Sequence, residues 1–211
     1  MLKIVKFTFN PLGENTYVFH NGKIATVIDP GMYEDYEQEQ FSKFLEKEGL
    51  ELDKIVCTHC HLDHVAGVEF LKNKYNVSCY IPSGEQEILK MSEISAGMYG
   101  MHLFQNVGEV NHIEGITIEL AGLPFQILKV PGHSPDHYAF YNADEKVVAS
   151  GDVLFKGSIG RYDLPGGSLD VLRKSILEVL FELPDDVQVL CGHGELTTIG
   201  FEKKHNVITT I

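Results

Sequence analysis

The sequence has no tryptophan, only four cysteines, and 17 basic residues against 30 acidic ones in a chain of 211. Each scarcity excludes something. A formal net charge of −13 repels phosphate backbones and anionic headgroups, so neither nucleic acid nor a membrane is an expected partner. Cys57, Cys60, Cys79 and Cys191 are read as reduced thiols rather than a disulfide framework in a chain this long with no export signal. No apolar run approaches the ~20 residues of a membrane span, and the stretch Met1 to Phe7 has neither an uninterrupted apolar core nor a small-residue cleavage site. A cytoplasmic protein is the expectation. A hydrophobic content of 44% in 211 residues suits one domain, 1–211, that buries about 70% of its unfolded surface.

What is present in excess is local: His59, His61, Asp63 and His64 lie within seven residues, Thr58 to His64. They follow Lys54-Ile55-Val56-Cys57, a short β-branched run that reads as a buried strand. Loops favour Ser, Gly, Asn and Pro and have no ordinary use for three clustered imidazoles, so a metal site outweighs a plain polar loop with Asp63 as an N-cap. An extended backbone at His59-Cys60-His61 points both rings to one side, where one ion can take both. Asp63 and His64 open a stretch of helical apolar spacing, Asp63 to Leu71, which turns them away from that ion and suits them to a second. The Cys57-x-x-Cys60 pair could act as a redox handle on this loop, but a cysteine ending a buried strand more often serves as a small apolar residue.

The run resembles the His-x-His-x-Asp-His motif of the metallo-β-lactamase superfamily. Four other stretches match that family's motifs in order: Asp29-Pro30-Gly31, Pro131 to His137, Gly151 to Phe155, and Cys191 to Gly194. Within the superfamily, Gly151 to Gly167 and Gly192 to Asn206 are similar to the glyoxalase II-like thioester hydrolases. The resemblance implies an αββα sandwich, two mixed β-sheets face to face with helices outside. It also implies a ligand set: His59, His61 and His133 on one ion, Asp63, His64 and His193 on another, and Asp152 bridging both. Five imidazoles and two carboxylates suit two divalent ions, Zn²⁺ foremost, with Fe²⁺ or Mn²⁺ also accepted by such donors. Family members that destroy β-lactams often carry a cysteine where this chain has Asp152. His137 reads as an orienter of ligands rather than an eighth ligand. Asp29 reads equally well as a group beneath the metals and as a turn-forming residue before Pro30.

The implied chemistry is attack of a metal-bound hydroxide on a carbonyl, with Asp63 the side chain assigned to catalysis as well as to the metal. A thiolate leaves without a proton, so a thioester of the S-lactoylglutathione type is the expected small-molecule substrate, with no serine or cysteine nucleophile required. Arg161 falls where these hydrolases keep a basic residue for the glutathione part, and Lys156 is a second candidate. The longer glyoxalase II enzymes add a helical C-terminal region that the sequence does not show, which leaves the thiol carrier open. A single-iron persulfide dioxygenase, a lactonase and a non-catalytic metal-binding module are the alternatives. His102 and His112 read as surface or packing residues.

Between these motifs, strands are expected over Lys3 to Phe9, Thr16 to His20, Ile24 to Ile28, Val77 to Ile81, Ile116 to Leu120, Phe125 to Val130, Tyr138 to Tyr141, Val147 to Ser150 and Val187 to Leu190. Helices are expected over Glu34 to Glu48, from Ser83, over Ser168 to Leu183 and over Thr198 to Asn206. Ser95 to Asn111 shows no clear period. Asn21-Gly22 signals a hairpin.

Overall fold

Asn21 closes the expected hairpin by accepting the backbone N–H groups of both Lys23 and Ile24 on its side-chain oxygen. The computed structural model describes residues 1–210. They gather into two units, Met1–Ile113 with Glu119–Leu123, and Glu114–Ile118 with the chain from Pro124 onward.

In the first unit, β1 (Lys3–Phe9), β2 (Glu14–His20), β3 (Ile24–Ile28), β4 (Glu51–Val56), β5 (Ser78–Ile81) and β6 (Asn111–His112) pair in that order. β1 pairs antiparallel with β2 and β2 with β3, whereas β3 to β6 are parallel. A parallel step needs a crossover, and α1 (Asp35–Glu48) supplies it between β3 and β4. Its start is a capping box in which Glu37 takes the N–H of Glu34. Its end is Gly49, at φ 63°, where a Cβ would be strained. Phe41 and Leu45 face a core that includes Phe9, Val27, Ile55 and Leu71.

The helix expected from Asp63 to Leu71 is broken in two, α2 (Leu62–Val65) and α3 (Val68–Tyr75). The cause is Gly67, whose N–H goes to the Pro30 carbonyl at 2.7 Å and whose absent Cβ would lie 2.0 Å from the Met32 sulfur. The next helix, α4 (Gln86–Ser95), follows a 3-10 turn at Ser83–Glu85. Of the stretch Ser95 to Asn111, read as lacking a clear period, Ala96–Tyr99 forms a 3-10 turn and Gly100 to Val110 is irregular.

The second sheet contains β7 (Thr117–Leu120), β8 (Leu123–Lys129), β9 (Tyr138–Asn142), β10 (Val147–Gly151), β13 (Gln188–Cys191) and β14 (Thr197–Thr198), in the order β14-β13-β10-β9-β8-β7. Two short strands, β11 (Leu154–Phe155) and β12 (Ser158–Ile159), form a separate hairpin that the sequence did not signal. The helix expected over Ser168 to Leu183 begins as α5 (Leu169–Lys174), capped by Ser168, and then widens and tightens in successive turns up to Glu182. Helix α6 (Ile199–His205) is capped by Thr198. Val148, Val189, Leu172, Ile176, Leu180 and Ile199 are among the residues of this unit's core. No helix among the described residues is long and apolar enough to cross a membrane.

Candidate metal centre

β3 and β4 run parallel with Ile28 opposite Val56, so the residues leaving their carboxyl ends emerge side by side. From β3 comes Asp29, and from β4 come Thr58 and His59. The Asp29 carboxylate accepts the Thr58 N–H and the Thr58 hydroxyl, each at 2.7 Å, and stands 3.1 Å from His64 Nδ1. Thr58 Oγ1 is 3.0 Å from His59 Nδ1. Because the single hydroxyl proton goes to Asp29, that oxygen accepts the proton of His59 Nδ1. Both imidazoles therefore carry hydrogen on Nδ1 and a lone pair on Nε2, the tautomer of a metal ligand held from behind. Asp29, at φ 50°, thus makes the turn before Pro30 and orients two rings as well.

His61 is the N-cap residue of α2, which removes the reading of Asp63 as the cap. Its ring stands perpendicular to that of His59 at 4.8 Å, and the His64 ring is 4.2 Å from the His59 ring. The helix start consequently carries His64 less far from His59 than its spacing suggested. Asp63 Oδ2 lies 3.8 Å from His64 Nε2. Between the first two histidines, the Cys60 N–H is taken by Glu85 at 3.0 Å and the Cys60 carbonyl by the Ser92 hydroxyl at 2.8 Å, and both partners are buried. Nearby Glu14 is fully buried, and burial pushes its carboxyl well above the ordinary range against the opposing pull of His64.

The second unit repeats the arrangement. β10 and β13 are parallel with Gly151 opposite Cys191, so Asp152 and His193 leave them together. Asp152 Oδ2 is 3.4 Å from His193 Nε2 and 3.7 Å from His133 Nε2. Those separations exceed a hydrogen bond, and they are close to the roughly 3.3–3.6 Å between two atoms on one tetrahedral ion at ~2.0–2.2 Å. His133 donates from Nδ1 to the Arg161 carbonyl at 2.7 Å, which again leaves the lone pair on Nε2. His137 accepts the Asp152 N–H on Nε2 at 3.2 Å, so it orients the backbone of Asp152. Gly132 and Gly160 permit close approach: a Cβ would lie 2.2 Å from the Leu172 nitrogen at the first and 1.8 Å from the Asp152 carbonyl oxygen at the second.

The two basic candidates have acidic neighbours. Arg161 forms a two-pronged pair with Asp163, at 2.9 and 3.0 Å, which lowers the Asp163 carboxyl. Lys156 pairs with Glu195, which raises the Lys156 ammonium. The sequence marked Arg161 for its side chain, whereas its carbonyl is what meets His133. Thr58 also went unassigned, although a hydroxyl beside the motif was a usable signal. Glu85 gave none, because its contact with Cys60 depends on packing across 25 residues. His102 and His112 are exposed.

All four cysteines are buried, and Cys57 lies 3.9 Å from Cys79. Hydrogen bonding to Cys79 and burial raise the Cys57 thiol, while burial and the charge of Glu85 raise that of Cys60. A buried thiol held protonated is a poor nucleophile. Cys60→Ser is therefore expected to keep most of the hydrolytic activity, whereas chelation should abolish it. Complete loss in Cys60→Ser with metal still bound would assign the thiol a chemical role.

The imidazoles of both units have fixed tautomers with lone pairs on Nε2, and the carboxylates of Asp63 and Asp152 stand near the Nε2 atoms of His64, His133 and His193. Such donors fit a borderline divalent ion. The model of the metallo-β-lactamase superfamily matches residues 9–193. The chain belongs to this superfamily. It is a metal-dependent hydrolase of that family, and its two mixed sheets with their helices are the superfamily's α/β sandwich. It is 36% identical over 193 residues to the hydroxyacylglutathione hydrolase GloC of Haemophilus influenzae, covering 90% of this chain and 89% of that protein. The crystal structure of the BLEG-1 B3 metallo-β-lactamase superposes with a TM-score of 0.89 at 32% identity, over 99% of this chain and all (100%) of that one. TTHA1623 in a di-iron-bound form gives 0.86 at 34% identity, over 96% and 98%.

Proposed function

We propose that the chain is a binuclear hydrolase of hydroxyacyl thioesters of the S-lactoylglutathione type. In this reading His59, His61 and His133 hold one ion, Asp63, His64 and His193 the other, and Asp152 bridges them. The observation that carries it is the Asp152 carboxylate, spaced from His133 and His193 as a shared ligand would be. The likeness to GloC supports the thioester. When bound, two divalent ions supply Lewis acidity, bringing a water near neutral pKa and stabilising negative charge on a carbonyl oxygen. The protein's own part is orientation. Asp29 and Thr58 fix the tautomers of His64 and His59, the Arg161 carbonyl fixes that of His133, and His137 holds the Asp152 backbone. A departing thiolate, with a conjugate pKa near 8.5, needs no proton donor, so the site needs no general acid.

Metal analysis of protein purified without added metal, followed by a substrate panel, tests the proposal. About two ions per chain, zinc or iron, and hydrolysis of S-lactoylglutathione are expected. The panel carries a lactone, a β-lactam because of the likeness to BLEG-1, and a persulfide with oxygen uptake followed. Faster turnover of any of these than of every thioester would displace the thioester assignment.

Arg161 tests the glutathione part. Its guanidinium is solvent-exposed and must exchange Asp163 for a substrate carboxylate. Arg161→Ala is expected to lower kcat/KM for S-lactoylglutathione roughly tenfold while affecting an uncharged thioester much less. Equal slowing of both substrates would mean that the side chain only shapes its loop.

A further inference from the structure

The stretch Thr197 to Asn206 supplies no ligand in the proposed centre, yet three of its polar side chains, Thr197, Glu202 and Asn206, are buried beside the hairpin of β11 and β12. Glu202, on α6, is fully buried. Its carboxylate accepts the Gly157 N–H at 3.0 Å, the Thr197 hydroxyl at 2.5 Å and the Asn206 amide at 2.6 Å. Asn206, also buried, shares the same amide group with the carbonyls of Ser158 at 2.9 Å and Phe155 at 3.3 Å, and accepts the Ile208 N–H on its oxygen. Three backbone groups around the hairpin turn are thus held by two side chains of one helix end.

A two-stranded ribbon this short has little stability of its own, so its position is set by what it is tied to: Leu154, Phe155 and Ile159 pack in or against the apolar core, and the polar clamp fixes the turn between the strands. That position reaches the ligands. Immediately after β12, Gly160 packs so near Asp152 that no Cβ fits, and the next residue, Arg161, presents its carbonyl to His133 Nδ1. We propose that Glu202 and Asn206 are positioning residues of the metal centre. Through the hairpin they hold the Arg161 carbonyl against His133 and thereby set the affinity of the ion that His133 binds. The inference rests on the assignment of His133 and Asp152 as ligands.

Two nearly isosteric variants of the full chain test it. Glu202→Gln puts an amide N–H₂ among three donors, and Asn206→Asp turns a carboxylate toward two carbonyls and the Glu202 carboxylate while keeping the acceptor for Ile208. Zn²⁺ affinity is measured by competition with a chromophoric chelator, beside the Tm of the metal-free protein. Each variant should bind Zn²⁺ roughly ten- to hundredfold more weakly, as is usual when the group behind a ligating histidine is disturbed. Phe201→Ala, at an exposed position of the same helix, should bind as wild type does. Wild-type affinity in variants whose metal-free Tm has fallen would overturn the proposal and leave the clamp a purely structural one. If neither variant folds, Thr197→Val, which removes a single donor to Glu202, should weaken Zn²⁺ in the same direction, and unchanged affinity there overturns it equally. A wild-type chain that binds no divalent ion would instead defeat the functional reading, a distinct outcome.

Discussion

Asp152→Ala should reduce the bound metal from about two ions per chain to one or none and take thioester hydrolysis down by about a thousandfold or more. On the proposed reading of Asp152 as a bridge, the size follows from the charge stabilisation that a metal site contributes in the transition state, several kcal/mol, each 1.36 kcal/mol being a factor of ten. The fold should survive. The Asp152 N–H that His137 accepts is a backbone group and remains in the variant, and the carboxylate removed is a buried one standing among imidazoles. The metal-free Tm is therefore expected to stay near that of wild type while stoichiometry and activity fall together. Two retained ions with activity lost would show that Asp152 acts on the substrate rather than as a bridge. An active wild type with a single iron would refute the binuclear centre, and oxygen uptake with a persulfide would then be the assay to run.

The division between what the sequence disclosed and what it hid has a physical basis. Strands were legible because β-branched and aromatic residues cluster within them, and the ends of β10 and β13 were legible because Asp152 and Gly192 follow at once. Within one chain segment, side chains such as His59 and His61 are related by local geometry, and spacing reports on that. Contacts that depend on which strands lie together are another matter. Asp29 reaches Thr58 only because β3 pairs in parallel with β4, and no local pattern announces that pairing. The break at Gly67 is similar: its apolar neighbours keep the helical period, and the interruption comes from Pro30 and Met32, over thirty residues earlier. The β11–β12 hairpin escaped notice because each strand is two residues long and its contacts are with distant residues, the core around Leu154 and the side chains of Glu202 and Asn206 at its turn.

Asp29→Asn should separate tautomer control from folding. Asn is nearly the same size, tolerates the positive φ of 50° better than most residues, and can still accept the Thr58 N–H on its oxygen. Its amide then faces the Thr58 hydroxyl and His64 Nδ1, where the aspartate accepted from both. An amide donor there favours a lone pair on His64 Nδ1 and puts the ring proton on Nε2, the nitrogen assigned to the metal. Reversal of the Thr58 hydroxyl passes the same change to His59. Weakening of metal binding by about ten- to hundredfold, the usual effect of altering the group behind a ligating histidine, is expected with the fold intact. Asp29→Ala should do worse, because it also leaves buried donors without an acceptor at about 1–3 kcal/mol each and so lowers the Tm of the metal-free protein. The informative comparison is metal affinity against metal-free Tm across wild type, Asn and Ala. If Asn binds metal as wild type does, Asp29 serves only the turn before Pro30, and the orientation of His59 and His64 must be set elsewhere.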